Sequence, residues 1–206
     1  MIVNFKKAIT DYNIIPKGVI HVGGYNGDEI YEYTALDIKE MVFFEPQKDL
    51  YEQILSKKAG NEKIITYNFG LGSTTTKLKM YRSFGNDGAS SSFLEPEKHL
   101  TLHPGIAFKE TEEEFNIYKM DDVIINKELY NFLNMDVQGY ELEVLKGGVE
   151  TLKHIDIIVC EVNRDSVYKN NAHINDLDKF LEEYRFKRIE VNWLGNLWGD
   201  ACYVKY

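Results

Sequence analysis

Short apolar runs recur along the chain at 18–23, 40–45, 62–69, 130–136 and 156–162, and polar stretches separate most of them. Runs of this length, bounded by glycine and polar clusters, read as strands. Within the polar stretches the apolar residues fall three and four apart. Leu50, Tyr51, Ile54 and Leu55 mark one helical face, and Ile174, Leu177, Leu181 and Tyr184 mark another. Strands alternating with amphipathic helices predict an α/β fold with a parallel sheet. The end of the chain breaks that rhythm. Residues 186–193 and 197–204 are strand-like on either side of Leu194-Gly195-Asn196, which predicts a hairpin. Leu78-Lys79-Met80-Tyr81 has the pattern of one more short strand. Residues 83–114 fit neither period. They hold glycine, serine, Pro96, Pro104, His99, His103 and the acidic run Glu110, Glu112, Glu113, Glu114. A loop that long in a compact domain is usually functional or disordered. We read it as a lid on the substrate side of a single domain spanning 1–206, with a solvated surface excursion as the alternative. No internal repeat is visible.

The first apolar run ends in Val22-Gly23-Gly24-Tyr25-Asn26-Gly27-Asp28-Glu29, and the second ends in Phe43-Phe44-Glu45-Pro46. A strand, a glycine turn, a helix and a second strand closed by an acid form the layout that binds an adenosine-containing cofactor at the carboxyl edge of a sheet. The dinucleotide pattern G-x-G-x-x-G fails in both registers, because Tyr25 and Asp28, or Asn26 and Glu29, stand where glycine is needed. The phosphate loop G-x-x-x-x-G-K-[ST] is absent as well. Asp28 and Glu29 fall at the expected helix start, where a pyrophosphate would meet two like charges. A sulfonium- and ammonium-bearing cofactor without phosphate suits that rim, and S-adenosylmethionine is such a molecule. Glu45 lies 18 positions after Gly27, near the roughly 20-residue spacing of a carboxylate that accepts from ribose hydroxyls. The plainer reading makes the glycines an ordinary turn and Glu45 a surface acid.

A second segment, from Phe132-Leu133-Asn134-Met135-Asp136 through Val137-Gln138-Gly139-Tyr140-Glu141 to Leu145-Lys146-Gly147-Gly148, reads as a buried strand, a terminal acid, a glycine turn and a helix. Leu142, Leu145, Val149 and Leu152 extend one helical face. Asp136 therefore stands at the carboxyl end of a central strand, where open α/β sheets place their chemistry. Its plainer role is to cap the Gln138-Gly139 turn.

With these motifs in order over most of 18–163, the chain resembles the FkbM family of S-adenosylmethionine-dependent methyltransferases. The matching residues are Val22-Gly23-Gly24-Tyr25-Asn26-Gly27, Phe44-Glu45-Pro46, Ala89-Ser90-Ser91-Ser92 and Asn134 through Gly147. Three positions depart from the family pattern: His21 replaces an acid, Asn134 a lysine and Gln138 a glutamate. The resemblance implies a Rossmann-like class I methyltransferase fold. That means a mostly parallel seven-stranded sheet with an antiparallel C-terminal hairpin strand and helices on both faces. It also implies methyl transfer to a sugar hydroxyl of a glycan or glycosylated molecule. The alternatives are a non-sugar hydroxyl on a small molecule or lipid, or a cofactor-binding module without catalysis.

Composition narrows the partners. Lys and Arg number 24 against 33 Asp and Glu, a formal charge of −9, which argues against a nucleic-acid substrate. Cys160 and Cys202 lie in apolar runs and read as buried free thiols of a reducing compartment, so we expect a cytoplasmic protein. The start of the chain, Met1 to Lys7, is too polar for a signal peptide, and no apolar run approaches the ~18 residues of a membrane span. No metal-type spacing of Cys and His occurs. Compact methyltransferase domains of this kind are often joined to glycosyltransferases, so the chain fits one piece of a longer polypeptide as well. Oligomeric state is not legible.

The cofactor residues expected on this reading are His21, Gly23, Tyr25, Asn26 and Gly27 at the glycine turn, with Gly23, Tyr25 and Gly27 around the methionine end, and Glu45 on the ribose. Asn68, Phe69 and Gly70 would lie near the adenine, with Ser91, Ser92 and Asp136 facing cofactor or acceptor. Methyl transfer to oxygen needs an aligned acceptor and a base within hydrogen-bond reach of its proton. Asp136 is the first candidate. Glu161, at the end of the neighbouring strand, is expected to share the site, and His103 or His99 in the lid are further bases, although lone loop histidines are usually just exposed. If Asp136 and Glu161 converge, they have the chemistry to hold a divalent cation, which leaves a metal open. Trp193 and Trp198 flank the hairpin turn on the expected ligand face, as packing for the hairpin or as a sugar-stacking wall.

Overall fold

The computed structural model describes residues 4–58 and 60–206; Met1 to Val3, part of the polar start read above, lie outside them. Seven strands form the main sheet: β1 (Gly18–Val22), β2 (Glu40–Phe44), β3 (Ile64–Tyr67), β9 (Phe132–Met135), β10 (Ile157–Asn163), β11 (Phe186–Leu194) and β12 (Trp198–Lys205). Their order is β11-β12-β10-β9-β1-β2-β3. The pairs from β3 to β10 are parallel, and β12 is antiparallel to both neighbours. This is the mostly parallel seven-stranded sheet with a C-terminal hairpin that the resemblance implies.

Alternation along the strands builds two cores. One face buries Ile20, Val42, Leu133, Ile158 and Tyr203 under Leu145 of α6 (Glu141–Lys146) and Leu177 and Leu181 of α7 (Ile174–Glu183). The other buries Val19, Phe43, Phe132, Val159 and Cys202 under α1 (Phe5–Asp11), α2 (Glu29–Ala35) and α3 (Lys48–Lys58). Both cysteines are free and buried.

Three expectations change in detail. The helical face through Leu152 is broken after Lys146, and a 3-10 turn at Thr151–Lys153 carries its last residues. The cause is close packing: a Cβ on Gly147 would lie 2.0 Å from the Gly72 carbonyl oxygen. The strand expected over 78–81 is instead two, β5 (Thr76–Leu78) and β6 (Tyr81–Phe84), separated by Lys79 and Met80. The stretch 83–114 is not irregular throughout. β6 pairs antiparallel with β7 (Ala107–Glu110), and α4 (His99–Leu102) lies between them. β4 (Gly70–Leu71), β5 and β8 (Phe115–Tyr118) make a separate three-stranded sheet. Backbone bonds from Glu97 and His99 to the Val167 carbonyl, and from Lys169 to the Glu95 carbonyl, join the segment to the loop after β10.

Candidate functional site

Register brings the chemistry to one edge. Val22 pairs with Phe44 and Met135, and Met135 pairs with Cys160. The next residues, Gly23, Glu45, Asp136 and Glu161, therefore stand side by side at the carboxyl edge, Glu161 still within β10 and paired with Asp200 of β12. The first glycine is obligatory here. Gly23 has φ +79°, and a Cβ on it would lie 1.9 Å from the Asp136 carbonyl oxygen. Its N–H and that of Gly24 both donate to the Phe44 carbonyl, at 2.9 and 3.0 Å. The turn then carries Tyr25 at φ +46°, a left-handed conformation that costs a non-glycine residue energy and clusters at functional sites. Gly27 N–H closes the turn on the Gly24 carbonyl at 2.8 Å.

Glu45 is 4% exposed and bridges two loops. Its Oε2 accepts from the Tyr25 N–H at 2.9 Å and its Oε1 from the Gln47 N–H at 2.8 Å. Burial pushes its pKa up to about 8, against those two bonds, which favour the carboxylate. Asn68 donates from its side-chain amide to the Glu45 and Pro46 carbonyls, both at 2.9 Å, and so fixes the loop that carries the acid.

A cavity of about 210 Å³ opens over this turn. His21, Gly23, Tyr25, Glu45, Gly70, Ser91, Ser92 and Asp136 line it. Asn26, Gly27, Asn68 and Phe69 do not. Asn26 faces a neighbouring cleft, Gly27 packs over Ile54, Asn68 acts through the backbone, and Phe69 joins Phe44, Tyr67 and Tyr118 in an aromatic cluster. His21 is buried and uncharged, its pKa lowered by burial. Its Nδ1 lies 3.0 Å from the Tyr33 hydroxyl, which also accepts from the Asn134 amide.

A second cavity of about 280 Å³ adjoins the first, and Ala89, Asp136 and Gln138 line both. Its other walls include His99, His103, Ile106, Glu161 and Trp198. The expected catalytic trio of Asp136, Glu161 and His103 therefore meets in one chamber, with Trp198 opposite. Trp193 is elsewhere, beneath the Arg164 guanidinium at 3.8 Å.

Gln138 ties the wall together. At φ +54°, it donates from Nε2 to Asp136 Oδ1 at 2.6 Å and to Glu161 Oε2 at 2.7 Å. Its Oε1 accepts from the Tyr168 hydroxyl at 2.8 Å, and its carbonyl accepts from the Ser92 hydroxyl at 2.8 Å. Four acids cluster here, with Glu141, Glu161 and Asp200 buried and Asp136 half-buried. Burial raises Asp136 to about 6, and raises Glu141 to about 7 with help from the Asp136 charge. Glu161 is pushed well above the carboxylate range, by burial first and then by Asp136, Glu141 and Asp200. Glu141 holds the turn itself, its Oε1 accepting from the Val137 and Gly139 N–H groups at 3.1 and 3.2 Å. Among the described residues, no group of three or more His, Cys, Asp and Glu side chains has metal-holding geometry.

Sequence reasoning missed Gln47, which lines the first cavity and accepts from the Ser91 hydroxyl at 3.0 Å. It also missed Phe93 and Tyr140 on the same wall, Asp200 beside the acids, and Tyr168. Only Gln47, two residues after the strand-end acid, carried a local signal.

The donor set fits S-adenosylmethionine. The turn has no room for a Cβ at Gly23, a buried acid ends the second strand beside it, and neither cavity is lined by Lys or Arg that would serve a pyrophosphate. Comparisons agree with the fold. A candidate tRNA methyltransferase of Streptococcus pneumoniae superposes with TM-score 0.54 at 12% identity, covering 100% of this chain and 71% of that one. The ribosomal protein L11 methylase of Lactobacillus delbrueckii subsp. bulgaricus gives 0.54 at 10%, covering 98% and 76%. The magnesium protoporphyrin IX methyltransferase of Synechocystis, solved with bound S-adenosylmethionine, gives 0.53 at 8%, covering 98% and 76%. No curated protein matches the sequence. The family described as the methyltransferase FkbM domain matches residues 21–188. With the glycine turn, the strand-end acids and the sheet order all in place, the chain belongs to the FkbM family of S-adenosylmethionine-dependent methyltransferases.

Proposed function

We propose that this methyltransferase transfers its methyl group to a sugar hydroxyl of a glycan or glycosylated molecule. The observation that carries this reading is the wall shared by the two cavities. Asp136 borders both, so a group held in the second chamber reaches the first through one carboxylate. S-adenosylmethionine supplies an electrophilic methyl on a sulfonium; when the acceptor oxygen bonds to that carbon, the carbon–sulfur bond breaks and its electron pair goes to sulfur.

The chain's residues do the rest. Gly23, Tyr25 and Glu45 position the methionine and ribose ends, Gly70 borders the adenine side, and Ser91 and Ser92 close the lid over them. Asn68 and Asn26 hold the loops from behind. Gln138 occupies Asp136 Oδ1, which leaves Oδ2 to take the acceptor's proton. A carboxyl raised to about 6 is ionised at neutral pH and is a stronger base than an ordinary aspartate. Glu161 orients the acceptor, and His103 is the reserve base on the far wall. Single-domain organisation over 1–206, a carbohydrate rather than nucleic-acid acceptor and a cytoplasmic setting belong to the same reading. Among the described residues, no helix is long and apolar enough to cross a membrane.

The three departures from the family pattern do not favour a non-catalytic module, because His21 and Asn134 share the Tyr33 hydroxyl and Gln138 bridges the acids. The test is turnover with a panel of glycoside acceptors, the product analysed by mass spectrometry for an O-methyl group. Asp136→Asn should lower kcat by about 100-fold or more while S-adenosylhomocysteine binding stays within a few-fold. Unchanged turnover in that variant, or methylation on nitrogen, would overturn the assignment.

A further inference from the structure

The second chamber has properties that choose among acceptors. Two buried polar groups, one in its wall and one on the strand that carries Glu161, have unmet hydrogen-bonding capacity. His99, 5% exposed, lines the chamber, and its Nδ1 has no partner among the described residues. Asn163 follows Glu161 on the same face of β10; it is 1% exposed, and neither its side-chain oxygen nor its nitrogen is bonded. Buried polar atoms are rarely left so, and a group that satisfies them on binding is the direct explanation.

The charges point one way. No Lys or Arg lines either cavity. His99 is held neutral, lowered to about 4 by burial and by His103. Burial and its acidic neighbours keep Glu161 protonated, and Gln138 already donates to its Oε2. An anionic acceptor would meet Asp136 with no cation to balance it, and burying an unpaired charge is costly. A cationic acceptor paired with Asp136 would take the free Oδ2 that the transfer needs as its base. What remains is a neutral molecule with several hydroxyls. Trp198 supplies a flat apolar face, and Ile106 and Val167 complete the wall.

We propose that the chamber is an acceptor subsite selective for uncharged polyhydroxy rings, stacked on Trp198 and hydrogen-bonded through His99 and Glu161. This rests on the sugar-hydroxyl reading and narrows it: acidic sugars and phosphorylated acceptors are excluded. His99 is a positioning residue in this scheme and takes no proton.

The protein contains two tryptophans, so Trp193→Phe leaves Trp198 as the sole reporter. With S-adenosylhomocysteine bound, that variant is titrated with methyl glycosides of neutral hexoses, of the matching uronic acids and of the matching amino sugars. Neutral glycosides should change Trp198 emission saturably, and uronides should bind at least about tenfold more weakly. His99→Ala should weaken the neutral glycosides about tenfold, and His99→Asn, which keeps a polar atom near Nδ1, should recover most of it. Cofactor-product affinity should not move in either variant. Uronides binding as tightly as neutral glycosides would overturn the selectivity and leave the sugar-hydroxyl reading standing. Equal binding by His99→Ala would remove His99 from the subsite. Binding of amino sugars alone, or of no sugar while S-adenosylhomocysteine still binds, would overturn both readings.

Discussion

Glu45 is a buried carboxyl held between two backbone N–H groups, and its position above the ordinary range has a measurable sign. In the ligand-free protein its pKa is about 8 against an ordinary 4.5. Between those values the folded state holds a proton that the unfolded chain has lost. Its stabilising contribution is complete below about 4.5 and is lost as pH rises through about 8. On the proposed reading ribose hydroxyls would donate to the ionised form, so cofactor binding would work in the opposite direction. S-adenosylhomocysteine affinity should increase from pH 6 to 8, by up to about tenfold per unit, and Glu45→Gln should be weaker and flat over that range. A pH-independent wild-type affinity would remove Glu45 from the ribose. At this scale the sequence was legible where a local pattern carries the function. Gly23, Glu45 and Asp136 stand out by the run each one ends. Gln47, Asp200 and Tyr168 do not, because their roles come from register and long-range contact; the Tyr168 hydroxyl, for example, reaches Gln138 from thirty positions away.

Elements depend on the same balance of period and packing. Helix α7 was plain in the sequence because Ile174, Leu177 and Leu181 make a full stripe, and all three are buried. It is also anchored to the hairpin. Asp178 accepts from Arg188 Nε and Nη2 at 3.0 and 2.9 Å and from the Tyr203 hydroxyl at 2.9 Å. Leu181 is 0% exposed, so Leu181→Ala should cost about 2–5 kcal/mol, read as a lower midpoint in urea or heat. A loss below about 1 kcal/mol would mean the helix is not packed as described. Helix α6 ends earlier than its stripe suggests, and the reason lies outside it, where the Gly72 carbonyl takes the space of a side chain at Gly147. The segment 83–114 was visible only as an irregular stretch. Its β6–β7 pairing and its backbone bonds to residues 167 and 169 join segments far apart in sequence, which neither period can reveal.

Across the whole molecule, the strand–helix alternation made the parallel sheet legible, but not the division of its carboxyl edge into two cavities. That division depends on where the segment 83–114 lands, since its residues line both cavities. Glu45, Glu141, Glu161 and Asp200 are buried and Asp136 is half-buried, and the register gathers the strand-end acids among them at this edge. The net charge of −9 for the whole chain is therefore partly the acidity of the site. Such an edge favours a cofactor with a sulfonium over one with a pyrophosphate, and this is the central claim. The most direct test is calorimetric titration of the protein with S-adenosylhomocysteine and, separately, with NAD. Micromolar binding of S-adenosylhomocysteine, weakened in Glu45→Gln, with no heat from NAD, is the predicted result. Binding of NAD, or of neither molecule, would contradict it.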